Sequence, residues 1–377
     1  MNVDEPLLDI HSASTYSSHD GSDSLFKAAH EGDLDKVISL VEEEKYNPAL
    51  LSKSGNSVLH YAAGGGHLNV LKYFIEEKEL SHSLRGNLEQ TPLHVAVQYS
   101  QYSVVKYLVS EQAVEPYQED KYKRTAMHYA CIGGSLEILK YLKTEVENGP
   151  VKEFINDKTK SGFTPLHLAA HNGHEHITRF FMTEMNCVSD IRGRKNRTPL
   201  HEACENGHEG VSRFLILECG SNPTCSDDYH YTPLHIAAFN GHFNLVKFLT
   251  IEQKCNPEER TVDNYTSLHL ATLSGHLMIV QFFTSNPINC DPNVPGLKGK
   301  TSFHLAAESG HLSVVKYLAA DLKCSPFFVD EENFTPVELA SRKGHHHIVQ
   351  YLSLIHISEP TRRYAISYAV FCLKKKK

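Results

Sequence analysis

The sequence lacks any apolar run approaching the roughly 20 residues that a membrane-spanning helix requires, so it encodes no such helix. No basic, apolar and small-residue signal opens it, which argues against secretion. Missing too are a Gly-rich phosphate loop, a zinc-spaced CxxC pair and a GxSxG elbow. These absences exclude the commonest nucleotide, structural-zinc and hydrolase chemistries, and the chain is expected to be a non-enzyme with no cofactor. Cations are also in deficit, with 37 Lys and Arg against 45 Asp and Glu and a formal charge of −8. An acidic chain is poorly suited to neutralising phosphates, so nucleic acid is not an expected partner. The reading at this stage is a soluble, cytoplasmic protein with no membrane segment within residues 1–351.

What the chain does contain is one short phrase repeated. SVLH (57–60), TPLH (91–94), TAMH (125–128), TPLH (164–167), TPLH (198–201), TPLH (232–235), TSLH (266–269) and TSFH (301–304) are followed by a degenerate TPVE (335–338). Successive spacings are 34, 34, 39, 34, 34, 34, 35 and 34 residues. Self-similarity at such a period signals stacked units that cannot bury their apolar faces singly. The letters have mechanical roles. Thr232 can cap a helix, Pro233 suits its first position, and Leu234, Ile236, Ala237 and Ala238 give it an apolar, small-residue face. Gly241 can end it in the left-handed region. Leu245, Val246, Phe248 and Leu249 then carry the spacing of a second amphipathic helix, stopped by Cys255-Asn256-Pro257.

This pattern resembles the ankyrin-repeat family. The resemblance implies an all-α solenoid of helix–turn–helix units with projecting β-turn loops, covering residues 23 to about 352. Leu25, Ala28, Ala29, Gly32 and Leu34 fit the same frame without the phrase, which makes about ten repeats. Three departures stand out. Ser100-Gln101 replaces Gly-His, so an irregular turn is expected there. Five extra residues enter within Lys143–Lys160, around Asn148-Gly149-Pro150. Glu338 replaces the last phrase histidine.

The expected organisation is a disordered, acidic, Ser-rich leader (1–22), the repeat array (23–351) and a foreign tail (352–377). LSLIHISEPTR (352–362) reads, in frame, as a translated transposase-type sequencing adapter, ISYAVFCL (366–373) as its far end, and Lys374–Lys377 as trailing A bases. The authentic chain is then a fragment cut inside its tenth repeat. Without the tail's six basic residues and one acidic residue, the formal charge moves from −8 to −13.

The 25 histidines do not spell a metal site. Eight stand in the phrase, and His67, His174, His208, His242, His276, His311 and His345 follow the turn glycines. The resemblance implies that the phrase histidines bond backbone between neighbouring repeats. His345-His346-His347 point around a helix rather than at one centre. Cys255, Cys290 and Cys324 share one small-residue column and read as buried free thiols.

The residues before each phrase differ most between repeats, and the resemblance implies that partners contact these tips and the concave helix face. Lys121, Tyr122, Lys123 and Arg124 form one tip, Lys160 and Phe163 contribute to the next, and Arg194, Lys195 and Arg197 to the third. Tyr229 and Tyr231 follow on an acidic tip. Three basic tips on an acidic chain imply an acidic, extended segment of a protein partner. The expected function is a non-enzymatic protein–protein interaction scaffold or adaptor, as a monomeric array. The alternative is the cytoplasmic regulatory array of a larger protein: a cation channel, kinase, ubiquitin-ligase subunit or death-domain adaptor.

Overall fold

The structure is a computed structural model that describes residues 23–147 and 156–358. The leader, the core of the five-residue insertion and residues 359–377 lie outside the described residues. Among the described residues regular structure is helical throughout, and contacts divide the chain into two compact units at Arg194/Lys195.

The first unit holds five antiparallel helix pairs: α1 (Asp23–Glu31) with α2 (Leu34–Glu42), α3 (Val58–Gly65) with α4 (Leu68–Lys72), α5 (Pro92–Gln98) with α6 (Tyr102–Lys106), α7 (Ala126–Gly133) with α8 (Leu136–Glu147), and α9 (Pro165–His171) with α10 (Glu175–Thr183). The second unit repeats the plan with α11 (Pro199–Glu205) and α12 (Glu209–Leu217), α13 (Pro233–Asn240) and α14 (Phe243–Lys247), α15 (Ser267–Leu273) and α16 (Leu277–Thr284), α17 (Ser302–Ser309) and α18 (Leu312–Lys316), and α19 (Pro336–Lys343) and α20 (His346–Ser358). In each unit, first helices stack on first helices, α1–α3–α5–α7–α9 and α11–α13–α15–α17–α19, and each second helix packs against its own partner. This is the all-α repeat stack that the resemblance implied.

The caps explain why such short helices hold. Thr232 has extended backbone, and its hydroxyl accepts the His235 N–H at the start of α13. Gly241 ends that helix at φ 83°; a Cβ there would fall 2.5 Å from the His276 ring, so both conformation and packing require glycine. Ala62, Ala63, Ala96, Ala130 and Ala169 are fully buried, so neighbouring first helices approach closely. Phe74, Leu108, Leu139 and Phe181 fill the space behind them, from the second helices or the helical turn that continues them. Each such burial stabilises by roughly 1.5–3 kcal/mol, which a single pair could not gather alone.

The unit without the phrase folds as its frame implied. Leu25, Ala28 and Ala29 are buried and Gly32 is left-handed at φ 77°. The irregular turn expected at Ser100-Gln101 is not found. Ser100 adopts the glycine conformation, with φ 59°. Gln101 Nε2 donates to the Gly64 carbonyl at 3.0 Å, as His67 Nε2 donates to the His30 carbonyl at 2.8 Å. A primary amide reaches as far as an imidazole, so the turn survives. At the other end, α20 runs on to Ser358, and Leu352 is buried in the column of Leu318, 34 residues earlier.

Repeats are also stitched along the outer edge of the second helices. Tyr73 and Tyr107 hydroxyls donate to Glu42 and Glu76 at 3.1 and 2.9 Å. Arg213 grips Glu252 through two nitrogens at 3.1 and 2.9 Å while lying 4.1 Å over the Phe248 ring.

Candidate binding surface

Nine five-residue tips precede the capped first helices: 52–56, 86–90, 120–124, 159–163, 193–197, 227–231, 261–265, 296–300 and 330–334. Each is a tight turn. In the tips other than 193–197 the first N–H donates to the fifth carbonyl, as from Asp120 to Arg124 at 3.0 Å and from Asp227 to Tyr231 at 3.0 Å. A residue near the apex, such as Lys123 or His230, is left-handed.

The first tip residues read Ser52, Gly86, Asp120, Thr159, Gly193, Asp227, Thr261, Gly296, Asp330, a hydroxyl–glycine–aspartate order that recurs every third tip. Physical causes account for it. Asp and Ser/Thr side chains accept the turn's own amides: Asp227 Oδ1 takes Tyr229 N at 2.9 Å and Tyr231 N at 2.8 Å, and Thr261 Oγ1 takes Tyr265 N at 3.1 Å. The glycine tips sit where the preceding repeat comes closest. A Cβ at Gly86 would lie 2.7 Å from His60 Nε2, and one at Gly193 would lie 2.7 Å from His167 Nε2. Tips are joined by backbone bonds from Lys121 N to Leu88 O at 2.9 Å and from Lys160 N to Tyr122 O at 2.8 Å in the first unit. Asp228 N to Lys195 O, Val262 N to Tyr229 O and Glu331 N to Lys298 O, each at 3.0 Å, do the same in the second.

The phrase histidines hold the tips in place. In His94, Nδ1 accepts the Thr91 N–H at 3.0 Å, so Nε2 carries the proton and donates to the Gln118 carbonyl at 2.9 Å. His60, His128, His235, His269 and His304 make equivalent bonds to the loops that follow them. Burial disfavours the charged ring and lowers His60, His94, His128, His235 and His269 to about 4. In the last phrase, Glu338 Oε2 accepts from Thr335 N and Oγ1, both at 2.9 Å. It keeps the cap and drops the donor.

The eleven residues expected to form the surface separate into two groups. Lys121, Lys123, Lys160 and Arg194 are exposed, and among the described residues none of them is ion-paired. Tyr122 is half-buried beneath the Arg124 guanidinium, 4.9 Å from its ring. Lys195 lies 4.9 Å over the Tyr229 ring, which is half-exposed at 49%.

Arg124, Phe163 and Arg197 lie on the inner side of their tips rather than on the exposed face. Each is the fifth residue of its tip, directly before the capping threonine, and the chain has already turned inward there. Arg124 is buried, with Nε 2.8 Å from Asp120 Oδ2. Phe163 is buried against the His167 ring, 6.0 Å away. Arg197 is held by Glu202 at 3.1 Å and Glu205 at 2.8 Å. Tyr231, in the same column, is half-buried and edge-on to His235.

The column had a signal that went unread. Arg124 has Asp120 four residues back, whereas Arg197 and Lys300 have Glu205 and Glu308 eight residues on, and Lys300 forms an ion pair with Glu308 at 2.5 Å. Also overlooked were exposed apolar residues near the later tips: Val262, Leu297, Phe328 and Val329.

No described residue group makes the histidine run a metal centre. His345 Nε2 donates to the Glu308 carbonyl at 2.9 Å and His347 Nε2 to the Gly310 carbonyl at 3.4 Å. None of the eight described cysteines is in a disulfide. Burial pushes Cys255, Cys290 and Cys324 up to about 11, about 12 and about 11, away from the reactive thiolate.

The family model for ankyrin repeats (three copies) matches residues 25–120, 85–150, 112–182, 144–227, 213–295 and 286–363. No curated protein matches the chain. Ten helix pairs among the described residues, tips pinned by phrase histidines and family matches spanning nearly the whole array lead to one assignment: the chain belongs to the ankyrin-repeat family.

Proposed function

We propose that this protein is a non-enzymatic binding module that grips an acidic, extended segment of a partner protein on the tips of its first unit. Ankyrin repeats indicate a protein–protein interaction module. The partner's chemistry is inferred from Lys121, Lys123, Lys160 and Arg194. These four cations are exposed, lack counter-ions among the described residues and sit on three neighbouring tips. Lys160 N bonds to Tyr122 O at 2.8 Å, and a Cβ on Gly162 would lie 3.1 Å from Arg194 N, so the tips adjoin. Free cations on a rigid turn lose little entropy on binding, and they steer an acidic ligand before contact. Free, buried thiols support a reducing cytoplasmic setting.

The test is fluorescence anisotropy with a labelled peptide of alternating glutamate and glycine. Reversal of the four cations together (K121E/K123E/K160E/R194E) should weaken binding about tenfold or more and flatten its salt dependence. The circular dichroism spectrum should not change, because none of the four packs in the core. Undiminished binding by the variant at low salt would place the interface elsewhere.

A further inference from the structure

The second unit presents tips of opposite character, and nothing in the first unit's chemistry accounts for them. Tyr229, Val262, Leu297, Phe328 and Val329 are 49%, 61%, 38%, 53% and 53% exposed, on or beside four consecutive tips. Their succession is fixed by direct bonds. Val262 N donates to Tyr229 O at 3.0 Å, Arg260 Nη1 to Pro295 O at 3.0 Å, and Glu331 N to Lys298 O at 3.0 Å. Between the apolar residues stand Asp228, Asp263 and Glu331, all exposed and without ion pairs among the described residues. The nearby cations are occupied. Lys298 binds Glu332 at 2.6 Å, Arg260 is spent on the Asn264 and Pro295 carbonyls, and Lys195 covers Tyr229.

Exposed apolar side chains on a turn have no core to serve, and a row of them interleaved with uncompensated carboxylates repels acidic ligands. We infer that this edge is a second interaction surface, which takes an extended segment of another protein alternating apolar and basic residues. Charge complementarity selects that occupant. Asp228, Asp263 and Glu331 would receive lysine or arginine, and Val262, Leu297 and Phe328 would shield the contact from water. Apolar contacts supply affinity here, and the carboxylates set sign and register.

The probes are short labelled peptides of alternating leucine and arginine, with glycine–arginine and leucine–glutamate peptides as comparisons, titrated against the full chain. The leucine–arginine peptide should bind best. Both D228K/D263K/E331K and V262S/L297S/F328S should weaken it by about tenfold or more, with helical signal retained. The first-unit reversal K121E/K123E/K160E/R194E should leave it unaffected, so this surface and the basic one succeed or fail separately. Equal binding of glycine–arginine and leucine–arginine peptides would reduce the edge to simple ion exchange and overturn the inference. So would binding that survives both second-unit variants, or no binding at all. A concentration-dependent increase in sedimentation mass that D228K/D263K/E331K abolishes would assign the edge to self-association instead, and would equally overturn it.

Discussion

Two aspartates in equivalent turn positions carry very different weights. Asp120 uses all its capacity: Oδ1 accepts the Tyr122 and Arg124 amides at 2.8 and 2.7 Å, and Oδ2 accepts Arg124 Nε and the Tyr129 hydroxyl, both at 2.8 Å. Asp330 makes the same two amide bonds, at 3.0 and 2.9 Å, but its buried Oδ2 meets no donor. The reason lies in the sequence, since Phe334 and Leu339 stand where Arg124 and Tyr129 stand. Asp120→Asn should therefore remove the countercharge of a buried guanidinium and cost about 3 kcal/mol. Asp330→Asn keeps its amide acceptor and should stay within about 1 kcal/mol of wild type. Urea unfolding of the two variants side by side decides it, and equal losses would refute the network. The same residues show what was hidden in the sequence. Arg124 and Lys123 are neighbours in a basic run, yet one faces the core and the other the solvent, because a five-residue turn reverses direction between them.

At the scale of the helix pair, the repeats were legible because each boundary has its own chemistry: threonine cap, proline at the first position, glycine at the end. That chemistry is local, so it survives being read one residue at a time. The turn at Ser100-Gln101 was misjudged because it keeps the function while changing the residues. A positive φ and a side-chain N–H reaching back to Gly64 are the requirements, and serine with glutamine meets both at some cost in strain. Ser100→Gly should stabilise the third repeat by about 1 kcal/mol, since a non-glycine residue at φ 59° pays roughly that. Gln101→Ala should lose about 1 kcal/mol with the bond to Gly64, and Gln101→His should restore it. Amide exchange in α6 and the thermal midpoint would report all three. A Gln101→Ala variant as stable as wild type would show that the back-bond does not contribute. The binding surface was only half legible for a related reason. Exposure depends on how a tip rests on its neighbours, and Phe163 and Val262 are alike as apolar letters although one is buried and the other bare.

Across the molecule, the phrase histidines act as a distributed acid sensor of folding. His60, His94, His128, His235 and His269 are held near 4 by burial, with His304 lowered for the same reason. In the unfolded chain each reverts to about 6.5. Between those values the unfolded state binds protons that the folded state excludes, so stability is fully present above about pH 6.5 and falls as pH drops towards 4. Each histidine contributes a slope of up to about 1.4 kcal/mol per pH unit. Glu42, Glu252 and Glu332 are exposed and lowered by their cationic partners, and a lowered carboxylate also loses stability on acidification, so they do not oppose the trend. Urea midpoints measured at pH 7.5, 6 and 5 should fall steeply and together in both units. The buried imidazole signals should remain neutral in nuclear magnetic resonance spectra until the chain unfolds. A flat midpoint over that interval, or rings that titrate near 6.5 in the folded protein, would mean that the loops are not held by neutral histidines, and the pinning of the tips would need another cause.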